Sequence, residues 1–126
     1  MWLLMWLFLC GHSLADTALQ PDSMAKGKRR STPINMDKVP AGQKPLRLWY
    51  MWITHHALIQ GLIVTLAVII AGLVNPWLLQ FWWLGIVEFG THCIIDFAKS
   101  EGAFCPRVDQ TLHLLCKVGY LVVICY

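Results

Sequence analysis

The sequence EFGTHCIIDFAK, residues 88–99, ends a long apolar run, yet it carries two acids, an imidazole and an amine. An α-helix has 3.6 residues per turn, so steps of four place Glu88, His92 and Asp96 on one stripe. Ionisable groups inside an apolar span are costly, and they normally face the interior of a helical bundle. The segment therefore predicts a membrane helix whose polar stripe faces other helices.

The composition of the whole chain supports this interpretation. Its 126 residues are 57% hydrophobic and only 13% charged, which is too apolar for an ordinary soluble domain of this size. The net charge of +3 is small, so no nucleic-acid partner is expected. The five cysteines show neither paired metal-ligand spacing nor a disulfide-framework pattern.

Four apolar segments, separated by more polar connections, predict four membrane helices. We expect an all-α fold, a four-helix transmembrane bundle, forming a single membrane domain over residues 1–126. A run of about 20 apolar residues is enough to span a bilayer. The predicted helices cover residues 1–20, 48–74, 76–98 and 108–126. An alternative for residues 1–15 is a cleaved signal peptide, although no Lys or Arg precedes their apolar block.

The connection 21–47 is polar, contains four prolines and holds seven of the ten basic residues. Because Lys and Arg concentrate in cytoplasmic loops, it predicts a basic cytoplasmic loop and places both termini outside. The predicted location is therefore multi-pass, in an inner (cytoplasmic) membrane. The Lys26–Arg30 cluster indicates attraction to anionic lipid headgroups.

Polar residues recur near the cytoplasmic end of every predicted helix. The motifs are His12-x3-Asp16-x3-Gln20, Met24-Ala25 with Lys28, His56-Ala57-Leu58, Glu88-x3-His92-x3-Asp96-x2-Lys99 and Asp109-Gln110-x2-His113. A helix rises 1.5 Å per residue, so the polar groups of neighbouring helices lie at overlapping depths. The topology thus predicts one buried polar layer in the cytoplasmic half of the bundle.

The order and spacing of these motifs, over residues 12–113, resemble those of a family of small bacterial and phage integral membrane proteins of unknown function. That resemblance implies a bacterial inner (cytoplasmic) membrane as the location, and it implies no established activity. A looser similarity connects the pattern with membrane-bound metal-dependent hydrolases, which also place His and Asp on helices in apolar surroundings. This second similarity is one of pattern, and a shared fold does not by itself supply a function.

Imidazole and carboxylate together form the ligand set of transition metals, and helical bundles build such sites from facing helices. We predict a divalent metal, zinc first, with manganese or iron as alternatives. The predicted metal ligands are His12, Asp16, His56, His92 and His113. The candidate catalytic residues are Glu88 and Asp96, one of which would act as general base on a metal-bound water. At the cytoplasmic rim, Lys28 and Lys99 would hold a phosphate or a lipid headgroup.

Together these residues predict a membrane-embedded metal-dependent hydrolase with its site on the cytoplasmic half of the bundle. Two alternatives use the same side chains differently. They could form an interhelical packing network in a non-enzymatic bacterial or phage membrane protein, or they could form a proton or ion pathway. The predicted partners are the lipid bilayer and its anionic headgroups. A second copy of the chain, in a homo-oligomer, is a further candidate partner.

Overall fold

The computed structural model of the chain describes residues 1–31, 40–44 and 48–126. These residues form α-helices and one 3₁₀-helix, with no strand among them. The α-helices are α1 (Trp2–Thr17), α2 (Asp22–Gly27), α3 (Trp49–Val74), α4 (Leu84–Ser100) and α5 (Pro106–Cys125), and the 3₁₀-helix is Pro76–Phe81. The all-α prediction is confirmed, whereas the single domain over residues 1–126 stays a prediction.

The helix boundaries follow from proline and glycine positions. Instead of one helix over residues 76–98, the chain has a 3₁₀-helix that starts at Pro76 and then α4. Proline lacks an N–H and fixes φ, so it starts a helix readily and does not continue one. Pro106 starts α5 in the same way. Between α4 and α5, Gly102 adopts a φ of +85°, which glycine tolerates without steric cost.

The basic connection 21–47 contains a helix that the sequence did not predict. This helix, α2, lies so close to α3 that a Cβ added to Gly27 would meet the indole ring of Trp52. The close approach directs Lys28, which follows α2, into the bundle, where it is buried. Two basic residues of this connection, Lys38 and Arg47, lie outside the described residues.

Each long helix presents one inward stripe that is apolar at one end and polar at the other. On α1, for example, the stripe runs from Leu4 and Phe8 to His12. The apolar ends meet in one core, formed by Leu4, Phe8, Val64, Ala67, Val68, Ala71, Leu78, Leu84, Tyr120 and Ile124. The polar ends meet in the other half of the bundle, so the helices divide the interior into an apolar and a polar half.

Glycines bring α3 and α4 into close contact near the boundary between the apolar and the polar half of the interior. A Cβ on Gly61 would lie 2.6 Å from the carbonyl oxygen of Gly85, and one on Gly85 would meet the hydroxyl of Thr65. Small residues let helix backbones approach closely, as they do in membrane bundles. The contact holds the polar stripe of α4 against that of α3.

The exterior of the bundle is apolar, which inverts the arrangement of a water-soluble protein. Leu73 and Ile94 are 80% and 70% exposed, while charged side chains such as Glu88 are buried. Among the described residues, α3 and α5 are long and apolar enough to cross a membrane. The length and composition of these two helices indicate membrane association.

Candidate metal centre

Among the described residues, the polar half of the interior contains ten buried polar side chains, each at most 7% exposed. They are His12, Lys28, His56, Gln60, Glu88, His92, Asp96, Asp109, His113 and Lys117. We call these ten residues, with the half-buried Asp16, the polar layer. Buried ionisable groups are tolerated only when they are paired or bind a metal, so the contacts of each one matter.

Four imidazoles, one from each long helix, meet at the centre of the layer. The ring of His92 lies 4.9 Å from that of His56 and 4.0 Å from that of His113, measured between centroids. The His12 ring lies 5.3 Å from that of His113. The structure therefore brings together all four histidines that the sequence analysis named.

Glu88 orients the central imidazole. Its Oε1 atom accepts a hydrogen bond from Nδ1 of His92 at 3.2 Å, because a carboxylate can only accept. Its oxygens also contact the Lys117 ammonium at 2.5 Å and the Tyr120 hydroxyl at 2.9 Å. Glu88 is thus fully engaged, in the position of a group that orients a metal-binding imidazole. The general-base role predicted for it has no support in these contacts.

His92 belongs to a cluster that could hold a metal. Its Nε2 atom is buried and has no hydrogen-bond partner among the described residues. Asp16, His56 and His92 offer ligand atoms that all lie within 4.8 Å of one another. Nε2 of His56 is 3.2 Å from Oδ1 of Asp16, and two ligand atoms on one tetrahedral zinc would be about 3.3–3.5 Å apart. A modest inward movement would bring all three onto one ion.

His12 occupies a different environment. Its two ring nitrogens each lie 3.3 Å from a side-chain oxygen, one of Gln60 and one of Gln110. The nitrogens of both amides donate to Asp16, at 2.6 and 2.9 Å, which fixes how the amides are turned. His12 would have to give up one of these contacts to bind a metal, so its geometry favours a role in holding Asp16.

Both lysines predicted to bind headgroups are paired with carboxylates. The Lys28 ammonium donates to Asp96 and to Gln20, each at 2.5 Å, and the Lys99 ammonium donates to Asp109 at 2.5 Å. Burial lowers the pKa of Lys28, although the neighbouring Asp96 carboxylate favours its charged form. Lys99 lies at the rim of the layer, where its side chain is 36% exposed.

A family model described as a protein of unknown function (DUF3307) matches residues 4–125. The chain belongs to this family. The matched region contains the whole polar layer, and the predicted resemblance to a family of unknown function is confirmed. No curated protein and no solved structure is significantly similar to the chain.

Several polar residues of this DUF3307 chain were not among the predicted site residues. Gln60, Asp109 and Lys117 belong to the layer, and Gln110 and Tyr120 contact it. A signal for some of them was present, because Asp109, His113 and Lys117 follow steps of four. Tyr120 gave no such signal, since a tyrosine one turn further along an apolar helix is usually a packing residue.

Proposed function

We propose that this DUF3307 chain is a membrane-embedded metal-dependent hydrolase. The observation that carries the proposal is the cluster of Asp16, His56 and His92, whose ligand atoms lie within 4.8 Å of one another, together with a buried His92 Nε2 atom that has no hydrogen-bond partner among the described residues. A polar atom in that position is costly unless something binds it. A divalent metal would satisfy it and would use the lone pair that the contact with Glu88 leaves free.

We place all four long helices in the membrane, with both termini outside and the polar layer toward the cytoplasm. Lipid tails are as apolar as leucine, so exposed residues such as Trp6 of α1 and Ile94 of α4 are well solvated there. The 16 residues of α1 would span roughly 24 Å, somewhat short of a bilayer core. Short spans are accommodated by local thinning of the bilayer.

Two imidazoles and one carboxylate form a ligand set that suits zinc, with manganese or iron as alternatives. Three protein ligands leave a position for water, as in catalytic zinc sites. A metal held there would supply an activated water for the hydrolysis of an ester, amide or phosphoester bond. With one ion bound, Asp96 would accept the proton of that water through Oδ1, the oxygen that Lys28 leaves free, and pass it to the leaving group. Its Oδ2 lies 3.8 Å from Nε2 of His92.

The test is the metal content of the full chain purified in detergent. We expect bound metal in the wild type and its loss in His56→Ala. The matched control is His55→Ala, which removes the neighbouring, exposed imidazole and should keep the metal. Folded wild-type protein that binds no zinc, manganese or iron would end the proposal. Metal-loaded protein is then assayed for hydrolysis of ester and phosphoester substrates, with His92→Ala as the inactive reference.

A second candidate function is a proton pathway. The observation that favours it is a chain of titratable groups whose successive contacts measure 2.5, 3.8, 3.2 and 2.5 Å. In order these groups are Lys28, Asp96, His92, Glu88 and Lys117. Chains of this kind relay protons through membrane proteins. In liposomes, a pH gradient should then drive proton flux that Glu88→Gln abolishes, and wild-type liposomes without flux would exclude this function.

A further inference from the structure

We propose a second metal site, formed by Asp96, Asp109 and His113, beside the first. The three residues offer ligand atoms within 4.8 Å of one another, and all three are buried. They come from α4 and α5 and share no residue with the cluster of Asp16, His56 and His92. Asp109 had no assigned role in the sequence analysis, so the site adds a ligand as well as an ion.

The distances within this group approach those of ligands on one ion. Nε2 of His113 lies 3.5 Å from Oδ1 of Asp109 and 3.9 Å from Oδ1 of Asp96. Ligand atoms on a tetrahedral ion are about 3.3–3.5 Å apart. A shift of a few tenths of an ångström would therefore bring the His113 nitrogen to ligand distance from either carboxylate, and the ligand atoms of all three residues already lie within 4.8 Å of one another.

An unpartnered oxygen points independently to a ligand at this place. Asp109 is 1% exposed, and its Oδ1 atom has no hydrogen-bond partner among the described residues. Its other oxygen, Oδ2, receives the Lys99 ammonium. Buried polar atoms are nearly always satisfied, so an orphan oxygen facing an imidazole nitrogen is unusual. A cation bound to Oδ1 supplies the missing partner.

Asp96 is held in the same manner. Lys28 donates to its Oδ2, while its Oδ1 faces His113. Each carboxylate thus has one oxygen fixed by a lysine and the other directed to the same point. Partners of this kind fix the orientation of metal ligands from outside.

The two sites are adjacent. The rings of His92 and His113 stack with centroids 4.0 Å apart and an interplanar angle of 23°. Asp96, a ligand of the second site, also borders the first site. Its Oδ2 lies 3.8 Å from Nε2 of His92, and its Oδ1 lies 3.9 Å from Nε2 of His113. Paired metal ions in hydrolases stabilise both the attacking and the leaving oxygen of a phosphoryl group. A phosphoester is therefore the substrate class that we assign. This assignment rests on the proposed function, whereas the binding of the second ion does not.

The two sites should differ in the metal ion that they prefer and in how tightly they bind it. Two carboxylates and one imidazole favour a harder cation such as Mn²⁺ more than the first site does. The ammonium groups of Lys28 and Lys99 repel a cation, so the second ion should bind more weakly than the first. Occupancy is then sequential, first at His92 and then at His113.

In the experiment, the metal-stripped full chain in detergent is titrated with Mn²⁺. The electron paramagnetic resonance signal of the free ion measures how much Mn²⁺ remains unbound. We expect two Mn²⁺ per wild-type chain, a weaker second step and a spin-coupled spectrum at full loading. Asp109→Asn should bind one ion, at the tight site, with no coupling. The matched control, Asp22→Asn, makes the same change at an exposed position and should bind two.

One Mn²⁺ per wild-type chain overturns the second site, as does an Asp109→Asn variant that still binds two. The wild-type count and its coupling do not depend on any variant, so they decide the matter even if Asp109→Asn fails to fold. If the wild type binds one ion and His56→Ala removes it, the proposed function stands without the second site. Two coupled ions in a protein that hydrolyses no ester would leave the second site and refute the hydrolase.

Discussion

Nζ of Lys117 lies 2.5 Å from Oε1 of Glu88, and both side chains are almost completely buried. The pair joins α5 to α4, and Glu88 is also the residue that orients His92. One carboxylate therefore contributes both to the packing of two helices and to the geometry of the candidate metal centre. Substitutions at this pair can separate the two contributions.

Removing only one charge of the pair should be severe. Glu88→Gln leaves the Lys117 ammonium buried without a counter-charge, which typically costs about 3–5 kcal/mol. We expect a correspondingly large drop in the detergent melting temperature. Glu101→Gln is the control, because the Glu101–Arg30 pair is open to solvent and such pairs contribute at most about 1 kcal/mol. Equal melting temperatures for the two variants would contradict the prediction.

Removing both charges should restore stability without restoring the metal centre. Replacing a buried ion pair by apolar side chains of similar size is often neutral or stabilising, so Glu88→Met with Lys117→Met should be more stable than Lys117→Met alone. His92 still loses its orienting carboxylate, and metal affinity should fall by about 10–100-fold. The measurements are melting temperature and metal titration on the same samples. Wild-type affinity in the double variant would mean that Glu88 does not orient a metal ligand.

Metal binding should itself stabilise the protein. A ligand that binds only the folded state adds about 2.7 kcal/mol to the free energy of unfolding when its concentration is 100 times the dissociation constant. We expect zinc to raise the melting temperature of chelator-treated wild type clearly more than that of His92→Ala, which keeps only the weaker second site. A shift of equal size in both proteins would indicate binding elsewhere.

The glycine contact between α3 and α4 should be intolerant of a methyl group. In Gly85→Ala the new Cβ would meet the Thr65 hydroxyl and lie 2.5 Å from the Gly61 carbonyl oxygen, so the helices must separate. Overpacking of this kind costs about 1–3 kcal/mol. Gly90→Ala, on the same helix with open space around it, should be neutral or stabilising by up to about 1 kcal/mol. If Gly85→Ala is as stable as Gly90→Ala, the close approach is absent.

The membrane location can be tested with the exposed tryptophans. Trp6 on α1 and Trp82 before α4 are both exposed on the bundle surface. Single-tryptophan variants in liposomes of brominated lipid should lose fluorescence, because bromine quenches indoles at contact with acyl chains. Unquenched Trp6 would show that α1 lies outside the bilayer, and the proposal of four spans would then fail.

The polar layer was predictable because its signal is local to each helix. Steps of four place His12 on the same stripe as Asp16, and place Glu88 and Asp96 on that of His92, whatever the rest of the chain does. The partners of the lysines were not predictable in this way. Lys28 and Asp96 are 68 residues apart, and only the position of α2 against Trp52 brings their side chains together. Long flexible side chains reach partners that spacing does not reveal.

The composition of α5 constrains how the protein is made. Asp109, His113 and Lys117 lie on one face of this helix, and their partners lie mainly on α4. On insertion scales an acid or lysine at the centre of a membrane helix costs roughly 2.5–3.5 kcal/mol. With all four long helices in the membrane, as proposed, we therefore expect α5 to leave the translocon poorly by itself and to enter the bilayer as a helical hairpin with α4, so that the synthesis of α5 triggers closure of the bundle.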